Sequence, residues 1–292
     1  MNTSSSFDLS SQSSTLFHVA LSGDFSRLQQ LLASGADVNS RSATGSTPLH
    51  FAAREGDLDI LKLLLQHGAL IDAKDHDGYT ALHHACEYAH LSIALELYQS
   101  HADLYAQNRF GATPLHLATT GGHIEIIKEF LPHLKSIDFS NKFKDTLLHY
   151  AAIEGDTKVL LFLLDNGADV STQNDWGNTP LHYAAIYGYS SVAKILLEHN
   201  ALVNCKNHDG FTPLHNGVKN NHKALVSTLL EFDADFTLLD KFGRSALTYA
   251  QQFNFTALIK LFHGYLGTHS PTLVYTSPNS PIRPWDSYAK IG

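Results

Sequence analysis

The hexapeptide TPLHFA at residues 47–52 returns as TPLHLA at 113–118 and as TPLHYA at 179–184. Halving that interval fills the gaps, because Thr47, Thr80, Thr113, Thr146, Thr179, Thr212 and Ser245 stand 33 residues apart without a slip. The fourth position of the frame carries His50, His83, His116, His149, His182 and His215, with Thr248 in the last copy. One period upstream, the segment from Ser14 places Leu16, Val19, Ala20 and Gly23 on matching positions, which makes eight units. A period of this length builds a fold by stacking like modules side by side, not by closing the chain around one centre.

The local physics of one unit is readable from residue 47 onward. Thr47 can cap a helix, and Pro48 suits the first turn, where a missing N–H has no partner to lose. Leu49, Ala52 and Ala53 then share one helical face, with alanines where a neighbouring backbone must come close. Gly56 ends this helix and Asp57 can cap a second, in which Ile60, Leu61, Leu64 and Leu65 form an apolar stripe before Gly68. The stretch ALIDAKDHDGY is turn-rich, contains Gly78, and predicts a hairpin-like link to the next unit. Burying four large aliphatic side chains contributes roughly 6–12 kcal/mol, whereas fixing the backbone costs on the order of 1–2 kcal/mol per residue. One unit therefore cannot fold alone, and neighbours must share a core in a linear solenoid.

On these motifs the chain, over residues 14–266, resembles the ankyrin repeat family, whose signature is T-P-L-H-x-A at this period. The resemblance implies an all-α repeat solenoid of about eight units, each with two antiparallel helices and a projecting β-hairpin. It also implies binding of partner proteins through the hairpin tips and the concave inner-helix surface. The repeated histidine is then a structural linchpin that hydrogen-bonds the threonine hydroxyl and nearby backbone. Asn39 and Asn204 fall at a hairpin position that, in similar proteins of animal cells, can be hydroxylated. Departures stand out: Ala81, Leu147 and Ala246 replace the proline, Lys144 replaces the hairpin glycine, and LPHLKSID replaces the usual helix end. Irregular stacking is expected near residues 131–145.

Composition narrows the classes. With 43% hydrophobic residues the chain can build a continuous core, and no apolar run approaches the roughly 18 residues of a membrane span. The N-terminus lacks the basic region and apolar stretch of a signal peptide, and the two thiols, Cys86 and Cys205, are too few for a disulfide framework. The expectation is an intracellular monomer, cytoplasmic or nuclear. Twenty basic against twenty-eight acidic residues give a net charge of −8, which disfavours nucleic acid as a partner.

A histidine beside a hydroxyl residue is also the minimum vocabulary of a catalytic pair. Catalysis needs a singular pocket and an orienting third group, and six copies along a rod display neither, so no catalytic residue is expected. His83 and His84 are adjacent and point apart, and no HExxH or clustered Cys/His spacing exists, so no metal site is expected. His67, His133 and His199 recur near second-helix C-termini, where partial positive charge suits the helix dipole. No glycine-rich phosphate loop appears, and no cofactor is expected.

Stability fixes the framework positions, so binding content should lie in the variable ones. At the tips, Phe110, Phe143, Trp176 and Phe242 share one frame position, with Tyr79 and Phe211 two places later. Tyr88, Tyr187 and Phe253 stand just before the break of a first helix, and Arg109, Lys142 and Lys241 directly precede three of the tip aromatics. The candidate partner contacts are Tyr79, Tyr88, Arg109, Phe110, Phe143, Trp176, Tyr187, Phe211 and Phe242, since exposed aromatics dominate binding energetics. The competing reading for each tip aromatic is packing on the adjacent hairpin.

The serine-rich residues 1–13 are expected to be flexible, and residues 267–292, with prolines and no helical period, disordered. Pro278, Pro281 and Arg283 form a PxxPxR arrangement, although a plain linker fits the neighbouring serines better, and Ser277 and Ser280 precede prolines, a common pattern compatible with phosphorylation. The functional expectation is a non-catalytic adaptor or scaffold. A secreted effector, or an enzyme inhibitor working inside a host or target cell, would use the same surface. An enzyme would need a catalytic domain, and the repeats leave only the two short ends.

Overall fold

Each copy folds as a pair of short helices whose limits follow from its caps. The first helices are α1 (Leu9–Ser22), α3 (Pro48–Glu55), α5 (Ala81–Glu87), α7 (Pro114–Thr120), α9 (Leu147–Glu154), α11 (Pro180–Tyr187), α13 (Pro213–Lys219) and α15 (Ala246–Gln252). The second helices are α2 (Phe25–Ala33), α4 (Leu58–Gln66), α6 (Leu91–Gln99), α8 (Ile124–Phe130), α10 (Thr157–Asp165), α12 (Ser190–Glu198), α14 (Lys223–Glu231) and α16 (Thr256–Thr268). The computed structural model describes residues 9–268, with side chains placed for 16–265. Most of the serine-rich start and the tail with Ser277, Pro278, Ser280, Pro281 and Arg283 lie outside the described residues. Helix α1 begins at Leu9, inside the stretch read from sequence as flexible, and α16 runs two residues past the boundary at 266.

Thr47, Thr80, Thr113, Thr146, Thr179 and Thr212 each cap a first helix in a reciprocal box with the histidine three residues on. Asp24, Asp57 and Asp156 cap second helices through their carboxylates. Successive first helices pack more closely than successive second helices, so the stack curves with the first helices on the concave side. Small side chains permit this approach: Ala52, Ala53, Ala151, Ala152, Ala184 and Ala185 are all fully buried. The second helices supply the bulk of the shared core through residues such as Ile60, Leu64, Leu160, Leu163 and Leu196.

The predicted hairpins close as tight turns without an extended ladder; among the described residues only Ser140 and Thr146 form a β-bridge. Asp75, Asn108, Asn141, Asn174, Asn207 and Asp240 pin the tips, each Oδ1 accepting the N–H groups two and four residues on. Adjacent tips are joined by backbone bonds, as in Arg109 N–H to Asp77 O (2.8 Å), Asp175 N–H to Phe143 O (3.0 Å) and His208 N–H to Trp176 O (2.9 Å). The run breaks between Phe110 and Lys142, where the Lys142 ammonium donates to the Arg109 carbonyl instead. The same copy has a shortened α8 followed by a 3-10 turn at Leu131–His133, and Lys144 takes the left-handed conformation at φ 62°. The irregularity expected at 131–145 is thus confined to the outer helix and the tip.

A second set of histidines ties the seams. Where other copies place a capping aspartate, His90, His123 and His222 instead donate Nε2–H back to the carbonyls of Arg54, Glu87 and Ile186, at 2.9, 3.0 and 3.0 Å. Gly188 lets the His222 ring approach: it adopts φ +81°, and a Cβ there would meet the imidazole at 2.6 Å. Replacing His222 with alanine is expected to lower stability by about 1 kcal/mol, the net worth of one such bond, read as a drop in denaturation midpoint.

Candidate binding surface

The most reactive-looking side chains are consumed by structure. In all six copies the threonine N–H donates to histidine Nδ1 at 3.0–3.3 Å, and the threonine Oγ1 lies 2.8–2.9 Å from the same nitrogen. Nδ1 is therefore the acceptor, which leaves the proton on Nε2. Nε2–H donates forward to the carbonyls of Tyr79, Ala112, Asp145, Asn178, Phe211 and Arg244 at 3.0–3.2 Å, in each case the residue just before the next cap. Burial, partly opposed by that backbone bond, holds His50, His83, His116 and His182 down at about 4, and lowers His149 and His215 as well. Neutral rings with both nitrogens engaged offer neither a base nor a ligand. Among the described residues no tip follows the copy from Ser245, and Thr248 there bonds locally, its Oγ1 3.0 Å from Ser245 Oγ.

His67 and His199 turn Nδ1 to the carbonyls of Leu63 and Ile195, at 2.9 and 2.8 Å, at the C-terminal turns of α4 and α12. His133 instead lies against Tyr98, ring centroids 4.9 Å apart. Cys86 is buried and Cys205 partly so, both as free thiols. Among the described residues no group of three or more His, Cys, Asp or Glu side chains could hold a metal ion, and no helix is long and apolar enough to cross a membrane.

The surface left for recognition is formed by the tips and the ends of the first helices. Trp176 is 40% exposed, with its ring 5.5 Å from Phe143, and the bond between their tips fixes the pair. At the far end of α11 Tyr187, 46% exposed, stacks on Tyr189 at 6.0 Å. Burial and then Glu154 raise the Tyr187 hydroxyl above its ordinary value, and burial raises the Glu154 carboxyl. Tyr88 is half exposed and lies against His84, which stacks on Tyr79 and stands between Asp75 (3.7 Å) and Glu87 (3.6 Å). Phe242, 60% exposed, is the most open of the candidate aromatics.

Two expectations change. Phe211 is only 5% exposed, its ring packed between His215 and Tyr249, so it belongs to the core and not to an exposed tip. Arg109 lies over Phe110 at 4.8 Å and is already paired with Asp77 at 2.7 Å within the chain. Lys142 likewise lies over Phe143 at 4.9 Å, while Phe110, Phe143 and Tyr79 are partly covered. The sequence reading passed over Tyr189, whose signal was a bulky ring at a position where every earlier copy carries an Asp or a His. It also passed over Lys219 and Arg244, which flank Tyr249.

A family model for ankyrin repeats (3 copies) matches residues 16–108, 90–174 and 166–240. Comparison with curated proteins returned no match.

Proposed function

Because the chain belongs to the ankyrin-repeat family, we propose that it is a non-catalytic adaptor or scaffold that captures a partner protein on its concave face. Ankyrin repeats generally mediate protein–protein interactions and are typically non-catalytic modules. The observation that carries the reading is the two aromatic pairs of the central copies, Phe143 with Trp176 at the tips and Tyr187 with Tyr189 at the far end of α11, each held by its partner ring and partly open to solvent. Rigid, partly exposed rings contribute large contact area with little loss of side-chain freedom on binding. In this reading the protein works as a monomer in the cytoplasm or nucleus.

Trp176→Ala combined with Tyr187→Ala is expected to weaken partner capture, measured by cross-linked pull-down from native extract, while thermal unfolding stays nearly unchanged. Equal loss of folding and capture would show the two rings to be structural, and the reading would fail.

A further inference from the structure

At the far ends of α9 and α11 three side chains stand together that the repeat itself does not need. Glu154 closes α9 and Tyr187 closes α11, at the same frame position of adjacent copies. Tyr189 follows after Gly188, and its ring runs nearly parallel to that of Tyr187, at 20° and 6.0 Å between centroids. The same ring lies on the backbone next to Glu154: Gly155 adopts φ +76°, and a Cβ there would meet Tyr189 at 2.9 Å. Both rings are open to solvent, Tyr187 by 46% and Tyr189 by 37%.

The frame gives Tyr189 and Glu154 no task. At the position of Tyr189 other copies cap the second helix with Asp24, Asp57 or Asp156, or tie back to the preceding copy with His90, His123 or His222. Tyr189 does neither: it supplies no side-chain cap to α12, and its hydroxyl makes no bond among the described residues. Glu154 has a counterpart three copies earlier in Glu55, whose carboxylate Arg54 meets at 3.0 Å. The residue before Glu154 is Ile153, and among the described residues no basic side chain pairs with it. On its other side the preceding copy has Gly121 at this position, with no side chain to offer. Burial raises the Glu154 carboxyl, and its charge acts on the Tyr187 hydroxyl.

We propose that Glu154, Tyr187 and Tyr189 form a receptor for a basic side chain, an arginine or lysine on a peptide segment of the partner protein. The inference rests on the protein-binding reading above and names the chemistry of one contact within it. A cation on the face of a tyrosine is attracted by the ring's quadrupole, and the carboxylate beside that ring supplies the counter-charge. A guanidinium suits both, since its plane stacks on the ring while its paired donors meet the carboxylate oxygens. An exposed ion pair alone contributes little, so the rings decide where the cation settles. The net charge of −8 draws a basic segment towards the surface from a distance.

The test displays short random peptides to the full-length protein and, in parallel, to its Glu154→Gln and Glu55→Gln variants. Each variant removes one negative charge at an exposed helix end, so general attraction to an acidic surface falls equally in both. Peptides selected on the natural chain and on Glu55→Gln should be enriched in Arg and Lys, and the enrichment should vanish on Glu154→Gln. Changing the enriched Arg or Lys to Gln in a selected peptide should weaken its binding to the natural chain about tenfold, and should change little on Glu154→Gln. A Tyr187→Leu/Tyr189→Leu protein, apolar but without the ring faces, should bind the same peptides more weakly than the natural chain. No basic enrichment, equal enrichment on all three proteins, or indifference of the selected peptides to loss of the rings would overturn the proposal. The peptide change needs no altered protein, so a folding defect in a variant cannot mask the result. If capture from native extract still depends on Trp176 and Tyr187 while the selections show no basic preference, the receptor falls and the adaptor reading stands.

Discussion

Lowering the pH from about 7 to about 4.5 should unfold the solenoid, with helical ellipticity lost as the histidines of the forward ladder are forced to protonate. In the folded chain burial keeps His50, His83, His116 and His182 neutral down to about 4, against an ordinary value of 6.5 in the unfolded chain. The folded value is the lower one, so the unfolded chain binds more protons throughout that window. Stability is therefore full above pH 6.5 and falls as the pH drops towards 4. Geometry adds a second reason: a proton on Nδ1 would set one N–H donor against another, the fixed backbone N–H of the capping threonine.

Each such ring contributes on the order of 3 kcal/mol across the window, and four together approach the whole stability of an ordinary domain, about 5–15 kcal/mol. Circular dichroism against pH checks the midpoint. Calorimetry in buffers of different ionisation enthalpy should find uptake of about four protons per chain on unfolding near pH 5. A helical signal unchanged at pH 4.5 would contradict the account.

Leu181→Ala is expected to cost roughly 2–5 kcal/mol, because it opens a cavity in the middle of the array. Leu181 is fully buried at the start of α11, which packs against α9 on one side and α13 on the other. In a stacked fold the loss falls on two seams at once, so the urea transition should move to lower concentration and broaden as the halves uncouple. Leu202→Ala makes the comparison, since Leu202 is 64% exposed in the segment that follows α12 and its loss should stay within about 0.5 kcal/mol. An unchanged transition for Leu181→Ala would mean that the repeat frame is misplaced.

That frame was legible because one period fixes most of what it contains. Thr47 and its equivalents announce helix starts, Gly56, Gly155 and Gly188 announce first-helix ends, and the aliphatic stripe of α4 announces the buried face. The hairpin tips were harder. Phe211 and Phe242 look alike in a linear reading, yet Phe211 meets Tyr249 from the copy that starts at Ser245 and is buried, while no later tip among the described residues covers Phe242. Burial there is decided by a residue 38 positions away, beyond any local window. The backward ties of His90, His123 and His222 were hidden for a related reason: they interleave with Asp57, Asp156 and Tyr189 at the same position, so no single residue type marks the role. The placement of Lys219 and Arg244 over Tyr249 likewise joins one copy to the next and is visible in neither alone.

The forward reach of each imidazole gives the array a polarity. Each of the six histidines of that ladder completes its bonding with a carbonyl of the tip that follows its own helix pair, just ahead of the next cap, whereas Thr248 bonds to Ser245 beside it. Erosion from the two ends is therefore unequal. Removing copies from the front strands no member of this ladder, whereas cutting the rear away at any earlier seam leaves a buried ring N–H facing nothing. A copy cut short ahead of its following tip therefore exposes the same imidazole that a complete seam satisfies.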